Sequence, residues 1–122
     1  MKADQLMVLL GGLIIVATSS VLAETNLGNP LHGQNLYQQH CLRCHGARLD
    51  GNGPDAASLR IRPTDFHIYL TLARGASELE EAIRQGRKLT PMHAWDTVLT
   101  DQQIYDLVAY IRSAIPQIEV KP

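Results

Sequence analysis

The sequence has little aromatic bulk: its 122 residues include one Trp, one Phe and four Tyr. A chain of this length has room for one domain, and a small domain buries a smaller share of its surface than a large one. Few aromatic side chains also leave little material for a large apolar core. A buried non-protein group would supply the apolar core that the side chains do not.

The chain also lacks an excess of charge of either sign. Eleven Lys and Arg side chains stand against 12 Asp and Glu side chains, a formal net charge of −1. This balance excludes the large basic field of a nucleic-acid-binding protein. The sequence has no internal repeat and no long alternation of apolar and polar residues, which excludes repeat proteins and disfavours a sheet.

Long apolar runs are absent except near the start, where residues 6–17 follow a short charged segment. Ala23 is small, and small residues also occur just before it. Residues 1–23 are therefore predicted to be a signal peptide that is cleaved after Ala23. The alternative is an uncleaved membrane anchor, because residues 6–23 approach the length that spans a bilayer. Residues 24–122 would then form the exported domain.

Capping residues and helical periodicity predict three main helices. The first begins near Asn29 and Pro30 and runs toward Cys41. The second has a capping box over residues 77–80 and ends at Gly86, and the third has one over residues 100–103 and ends before Pro116. Residues 46–63 are predicted to be an irregular loop, with a short helix over residues 64–72 after it.

Both cysteines of the chain lie in one pentapeptide, Cys41-Leu42-Arg43-Cys44-His45. In a C-x-x-C-H motif the two thiols add across the vinyl groups of one haem, and the following imidazole reaches the iron. The motif therefore predicts one covalent haem c at Cys41 and Cys44, with His45 as an axial ligand.

Three other uses of these cysteines fit the sequence less completely. Export would permit a disulfide. A thioredoxin-like redox pair normally occurs in a βαβ setting, which this sequence does not indicate. A structural zinc site would need four ligands, but the chain has no second C-x-x-C and no spaced pair of histidines.

The second axial ligand is predicted to be Met92. Once residues 1–23 are removed, Met92 is the one methionine in the chain, and it lies in a loop between two predicted helices. A thioether favours ferrous iron and raises the potential relative to a second imidazole. The main rival is the neighbouring His93, and the weaker rivals are His32, His40 and His67.

Several short segments occur in a characteristic order along the chain: Gly33-x-x-Leu36-Tyr37, Cys41-x-x-Cys44-His45-Gly46, Asp50-Gly51-Asn52-Gly53-Pro54, Pro63-x-Asp65-Phe66, Gly86-Arg87, Met92-x-x-Trp95 and Leu107-Val108-Ala109-Tyr110-Ile111-Arg112. In these segments the chain resembles the monohaem class I cytochrome c family in its bacterial periplasmic form. The resemblance covers essentially all of residues 24–122.

This resemblance implies an all-α fold, the small cytochrome c fold, with three main helices plus short helices and loops around one haem. Its first and last helices would cross at Gly33 and Tyr110. The carbonyl of Pro54, or alternatively that of Pro63, would accept a hydrogen bond from the ring of His45.

The haem propionates need donors, and the resemblance brings several candidates close to the haem. Arg62 and the indole of Trp95 are the preferred ones, and the other candidates are Arg60, Arg87 and Lys88. Individually, each of these cations would also be an ordinary solvated surface residue.

The expected function is electron transfer, as a periplasmic carrier or as the cytochrome subunit of a redox complex, and not enzymatic catalysis. The expected partners are redox proteins such as a dehydrogenase, an oxidase or a cytochrome complex, with membrane contact only if residues 1–23 are retained. The alternative is a haem enzyme or gas-binding sensor with an open sixth position, and a further one is a structural module that its haem merely holds together.

Overall fold

A computed structural model describes residues 28–71 and 75–115, and the predicted signal peptide lies outside them. Within these ranges the secondary structure is helical, with no strand. The helices are α1 (Pro30–His40), α2 (Leu42–His45), α3 (Phe66–Thr71), α4 (Ala76–Gln85) and α5 (Asp101–Ala114), and a 3₁₀ turn covers Ala56–Ser58. The expected all-α fold is confirmed, and no helix in the described part of the chain has the length and hydropathy to cross a membrane.

The ends of α1 and α5 are as the sequence predicts. The side chain of Asn29 accepts hydrogen bonds from the backbone N–H groups of Leu31 and His32, at 3.0 and 3.3 Å. At the start of α5, Thr100 and Gln103 form a reciprocal capping box. Both helices therefore begin where side chains satisfy the first free N–H groups.

The predicted capping box at residues 77–80 is wrong, and so is the predicted start of the short helix. Helix α4 begins at Ala76 after Gly75, which has no side chain for a capping bond. Glu80 is paired with Arg84 one turn later at 3.0 Å and is not directed back to the helix start. The short helix α3 begins at Phe66, where Asp65 accepts a hydrogen bond from the N–H of His67 at 2.9 Å.

The crossing of α1 and α5 forms the centre of the fold. A side chain at Gly33 would overlap the carbonyl of Asp106 and contact Tyr110, so the two backbones approach where glycine leaves room. The rings of Tyr37 and Tyr110 lie 5.3 Å apart beside this contact. The expected crossing at Gly33 and Tyr110 is confirmed.

A buried carboxylate fastens the start of α1 to α5. Asp106 is 2% exposed and accepts hydrogen bonds from the N–H of Asn29 at 2.6 Å, from Nδ1 of His32 at 2.6 Å and from the amide of Gln102 at 2.9 Å. Burial alone raises the pKa of Asp106, but these three donors together hold the pKa below its ordinary value. The carboxylate is therefore charged, and the crossing is fixed by polar as well as apolar contacts.

Candidate functional site

A crevice with a volume of about 370 Å³ opens between two segments of the chain. Its first wall comes from residues 40–66 and contains the C-x-x-C-H motif. Its second wall comes from residues 79–95 and contains Met92. The apolar lining includes Leu59, Ile61, Phe66, Leu79 and Ile83.

The end of α1 delivers the motif to the first wall. The N–H of Cys41 donates to the carbonyl of Tyr37 at 2.9 Å and closes α1, and the N–H of His45 then donates to the carbonyl of Cys41 at 2.8 Å. The hydroxyl of the buried Tyr37 donates to the carbonyl of Gly46 at 2.7 Å, just beyond the motif. The motif is therefore one helical turn clamped at both ends, and both cysteines and His45 line the crevice.

Two groups orient the ring of His45. Its Nδ1 lies 3.3 Å from the carbonyl oxygen of Thr64, and its face stacks on Phe66 with 4.8 Å between ring centroids and 25° between planes. Burial lowers the pKa of His45, and the Thr64 carbonyl offsets part of that effect. The imidazole is therefore neutral near pH 7, with Nδ1–H toward Thr64 and Nε2 free to bind a metal.

The expected acceptor for His45, the carbonyl of Pro54 or of Pro63, is wrong by this geometry. Pro54 is exposed and outside the crevice lining. Hydrogen bonds hold its two neighbours against the motif: the N–H of Gly53 donates to the carbonyl of Cys44 at 3.1 Å, and the N–H of Asp55 donates to the carbonyl of Arg43 at 2.9 Å. Pro63 does line the crevice, but the next carbonyl along the chain faces the imidazole.

The thiols are free, and one of them is strongly perturbed. Burial, followed by the proximity of Cys44, raises the pKa of Cys41 to about 12. A redox-active C-x-x-C pair needs a lowered thiol pKa, so this environment does not suit thiol–disulfide exchange. Among residues 28–71 and 75–115, no group of three or more His, Cys, Asp or Glu side chains is arranged to hold a metal ion.

Short hydrogen bonds shape the loop that carries Met92. The N–H of Arg87 donates to the carbonyl of Met92 at 2.8 Å. The hydroxyl of Thr90 donates to the carbonyl of Arg87 at 2.8 Å and accepts from the N–H of Met92 at 3.1 Å. Gly86, with φ of 70°, packs where a side chain would overlap the backbone of Met92 and His93. The half-buried Met92 therefore lies in a constrained loop and packs against the core.

Trp95 lies in the second wall between two imidazoles. Its ring centroid is 5.3 Å from that of His40 and 4.3 Å from that of His93, and all three residues line the crevice. The Nδ1 of His93 lies 2.8 Å from the carbonyl oxygen of Ala94. His32 is held by Asp106 and His67 by the Arg48 carbonyl, so neither of these rivals for the iron lines the crevice.

Four cations lie in the crevice lining or next to it in the chain. Arg62 and Arg87 line it, whereas Arg60 and Lys88 are exposed next to them in the chain and do not. None of these four side chains takes part in the ion pairs found within the described residues. Arg43 also lines the crevice but is neutralised by Asp55, at 2.7 Å.

The residues present suit a haem c. Two thiols, a neutral imidazole and a thioether face one apolar crevice, and the volume lies within the range of cofactor sites. Free cations at the mouth would suit the propionates. Sequence reasoning missed the roles of Thr64 and Phe66 beside His45, since only the fold brings them there. Their positions one and three residues after Pro63, in a segment that the sequence singles out, are the one signal that could have pointed to them.

Several known proteins are similar to this chain. Residues 28–111 match the protein family described as cytochrome c oxidase, cbb3-type, subunit III. The chain is 32% identical over 109 residues to the dihydro-heme d1 dehydrogenase of Pseudomonas aeruginosa. The aligned region covers 86% of this chain and 20% of that protein. The chain thus spans about a fifth of the length of that relative.

A solved structure has a similar fold. A chain of the reducing HAO-like protein complex of Kuenenia stuttgartiensis superposes with a TM-score of 0.61 at 22% identity, over 75% of this chain and 44% of that one. At this identity the likeness concerns the fold alone, and it supports the small all-α architecture described above.

Proposed function

Because the chain belongs to a monohaem c-type cytochrome family, that of the cbb3-type oxidase subunit III, we propose that it carries one haem attached to Cys41 and Cys44, with His45 and Met92 as axial ligands. Membership of this family implies haem-based electron transfer or a place in a redox complex. We propose the finer role of a one-electron carrier, or cytochrome subunit, that is exported to the periplasm by residues 1–23 and is not itself an enzyme.

One observation carries this proposal: the crevice gathers every group that such a haem requires from two distant parts of the sequence. The motif supplies two thiols and a neutral imidazole, and the loop 48 residues after Cys44 supplies the thioether. When bound, the haem iron takes up and releases one electron by cycling between ferric and ferrous states.

The chain's own residues would tune that exchange. Thr64 would hold the Nδ1–H of His45 and raise the basicity of the imidazole, while the soft sulfur of Met92 would favour the reduced iron. The apolar lining would keep water away from the iron, and Arg62, Arg87 and Trp95 are the proposed partners of the propionates.

The named relatives suggest the setting of this exchange. The matched part of the Pseudomonas protein is a fifth of a chain that is named as a dehydrogenase. We propose that the present chain corresponds to an electron-transfer module and passes electrons for a separate enzyme body, which would be a dehydrogenase, an oxidase or a cytochrome complex. Dehydrogenase activity itself would belong to that body.

Carbon monoxide tests the ligation, because it binds ferrous haem only when the sixth position is open. The visible spectrum of the reduced protein is expected to stay unchanged on addition of CO, and Met92→Ala is expected to shift the Soret band. His93→Ala is the matched control from the same loop and should behave as the unmodified protein does. A CO adduct of the unmodified protein would instead favour the gas sensor or haem enzyme, and closure lost only in His93→Ala would assign the ligand to His93.

A further inference from the structure

Among the described residues, two leucines adopt the left-handed backbone conformation, and one is buried while the other is exposed. Leu49 has φ of 58° and is 5% exposed, whereas Leu89 has φ of 63° and is 98% exposed. A bulky residue with positive φ is strained, and glycine or asparagine is the usual choice there. The fold therefore tolerates the same unfavourable backbone at two positions for different reasons.

Burial explains Leu49. Its side chain belongs to the core cluster that includes Leu36, Tyr37 and Phe66, so the transfer of its apolar surface from water offsets the backbone strain. Leu89 has no such gain, because almost its whole side chain is in water. In the isolated molecule, neither the backbone conformation of Leu89 nor the exposure of its side chain contributes favourably to stability.

The turn that contains Leu89 does not require a leucine. The N–H of Thr90 donates to the carbonyl of Arg87 at 3.2 Å, which places Leu89 at the third position of a four-residue turn. A positive φ at this position is typical of glycine in type II turns. The return of the loop accounts for the positive φ but not for a leucine at this position, so the leucine points to a contact outside this chain.

Leu89 is not part of the crevice lining but lies next to it in the chain, at a position that we call the rim. Arg87, Thr90 and Pro91 on either side of it line the crevice, and Met92 lies three residues further along. Ile61, which is 44% exposed, lies on the first wall of the same crevice. The rim therefore carries exposed apolar side chains on both walls, beside the proposed haem.

The charge around these side chains is positive. Arg60 and Arg62 flank Ile61 and Arg87 and Lys88 precede Leu89, and none of the four has an acidic partner among the described residues. Even if two of these cations bind the propionates, the exposed rim keeps a positive balance. A partner that covers it would present carboxylates around an apolar contact.

We propose that Leu89 is the apolar anchor of a docking surface for an acidic electron-transfer protein, and that Lys88 and Arg60 are among its charged rim. This inference rests on the proposed electron-transfer function and adds the surface that recognises the partner. Its basis is a strained, fully exposed leucine within an uncompensated basic rim at the mouth of the crevice. A lipid surface suits it less, because interfacial binding uses an extended apolar face and this rim offers two separated side chains.

Flavodoxin, an acidic electron-transfer protein, serves as the probe. Its anionic hydroquinone gives one electron to the ferric protein and becomes the neutral semiquinone, with no proton gained or lost, so the measured step is a single electron transfer. Removing a central apolar contact typically costs more than about fivefold in binding, so Leu89→Ala should lower the second-order rate constant about fivefold or more. Leu31→Ala is the matched control, since Leu31 is 73% exposed on α1 and lies outside the crevice lining.

A small reagent separates docking from damage to the haem site. Hexacyanoferrate(III) takes one electron from the ferrous protein without an extended contact, and Leu89→Ala should leave that rate within about twofold of the unmodified one. An equal loss with both reagents would overturn the inference, because the substitution would then act through the haem site. Equal flavodoxin rates in Leu89→Ala and the unmodified protein would also overturn it.

The melting temperature gives a second test, because the inference predicts different changes when each leucine is replaced by glycine. Leu89→Gly relieves the positive φ and removes only an exposed side chain, so its melting temperature should equal or exceed that of the unmodified protein. Leu49→Gly relieves a similar φ but removes a buried side chain, and its melting temperature should fall. A fall in Leu89→Gly would mean that Leu89 serves the fold, which contradicts the inference.

The remaining outcomes are also decisive. If the unmodified protein exchanges electrons with neither reagent, the proposed function fails and this inference fails with it. If it reacts with both and the Leu89 variants match it, the inference alone fails. Binding to phosphatidylglycerol vesicles that is lost in Leu89→Ala would assign the surface to a membrane and overturn the proposal of a protein partner.

Discussion

The two walls of the crevice are built in different ways. The first wall takes its chemical groups from five consecutive residues, 41–45, which backbone hydrogen bonds hold in one helical turn. The second wall takes its proposed iron ligand, Met92, from a loop whose shape depends on the hydroxyl of Thr90 and on the close packing of Gly86. The groups of the first wall therefore share one turn of backbone hydrogen bonds, whereas the loop of the second wall is held by a side-chain hydroxyl and by close packing at a glycine.

This difference bears on how the site would work. Thioether bonds would fix the first wall to the haem permanently, so small movements there would not release the cofactor. Met92 would have no covalent bond to the haem, and a small change in its loop would alter the iron's sixth position. The first wall is thus suited to retaining the haem, and the second to setting its potential.

Phe66→Ala should give the largest loss of stability, because it removes a buried ring from the first wall. Phe66 is 6% exposed and stacks on His45, so its loss should cost about 3–5 kcal/mol of unfolding free energy. Denaturant unfolding of the holoprotein measures this cost. The haem should remain attached, and a cost below about 1 kcal/mol would show that the stacked ring does not support the first wall.

Asp106→Asn tests whether both walls of the crevice depend on the crossing of α1 and α5. Hydrogen bonds to a charged group are worth about 1.5–3 kcal/mol, so the substitution should lower stability at pH 7 by about this amount. The folded pKa of Asp106 lies below the unfolded one, so its contribution is present above the ordinary Asp value of about 3.9 and is lost as the pH falls through the folded pKa.

Acid titration of the two proteins measures this effect. The unmodified protein should lose more stability than Asp106→Asn as the pH falls from about 5 to lower values, so that the difference between them shrinks. Far-UV and visible signals should change together, because α1 leads directly into the first wall and α5 packs on α1. Separate transitions would mean that the two walls do not depend on the same crossing.

A pair of threonines should give the smallest and most specific difference. Thr64 contributes its backbone carbonyl to the first wall, whereas Thr90 contributes its hydroxyl to the second. Thr90→Val should therefore cost about 1 kcal/mol and lower the redox potential by loosening Met92. Thr64→Val keeps the carbonyl and should change stability by less than about 0.5 kcal/mol. Equal redox potentials in Thr90→Val and Thr64→Val would contradict the proposed difference between the two walls.

Local signals account for much of what the sequence could predict. The Asn29 cap, the box at Thr100–Gln103 and the glycine at the end of α4 are such signals, and each of these structural predictions is confirmed. The acceptor for His45 was missed because it depends on how a loop packs 19 residues away. The capping box at Ser77 was wrong because Glu80 pairs with Arg84 instead.

The rim at Leu89 shows a further limit. Nothing in the letters Arg87-Lys88-Leu89-Thr90 reveals that the leucine takes a left-handed conformation in water, since this follows from the return of the loop to bring Met92 beside Arg87. Burial and φ are properties of the folded chain. Sequence therefore identifies the groups that bind the haem better than it identifies the surface that recognises a partner.

The most direct test of the central claim is the mass of the purified protein after denaturation and extraction with acidic acetone. We expect the polypeptide to retain the mass of one haem, because thioether bonds at Cys41 and Cys44 survive this treatment. A haem that is extracted, or a polypeptide mass without haem, would contradict covalent attachment and with it the proposed function.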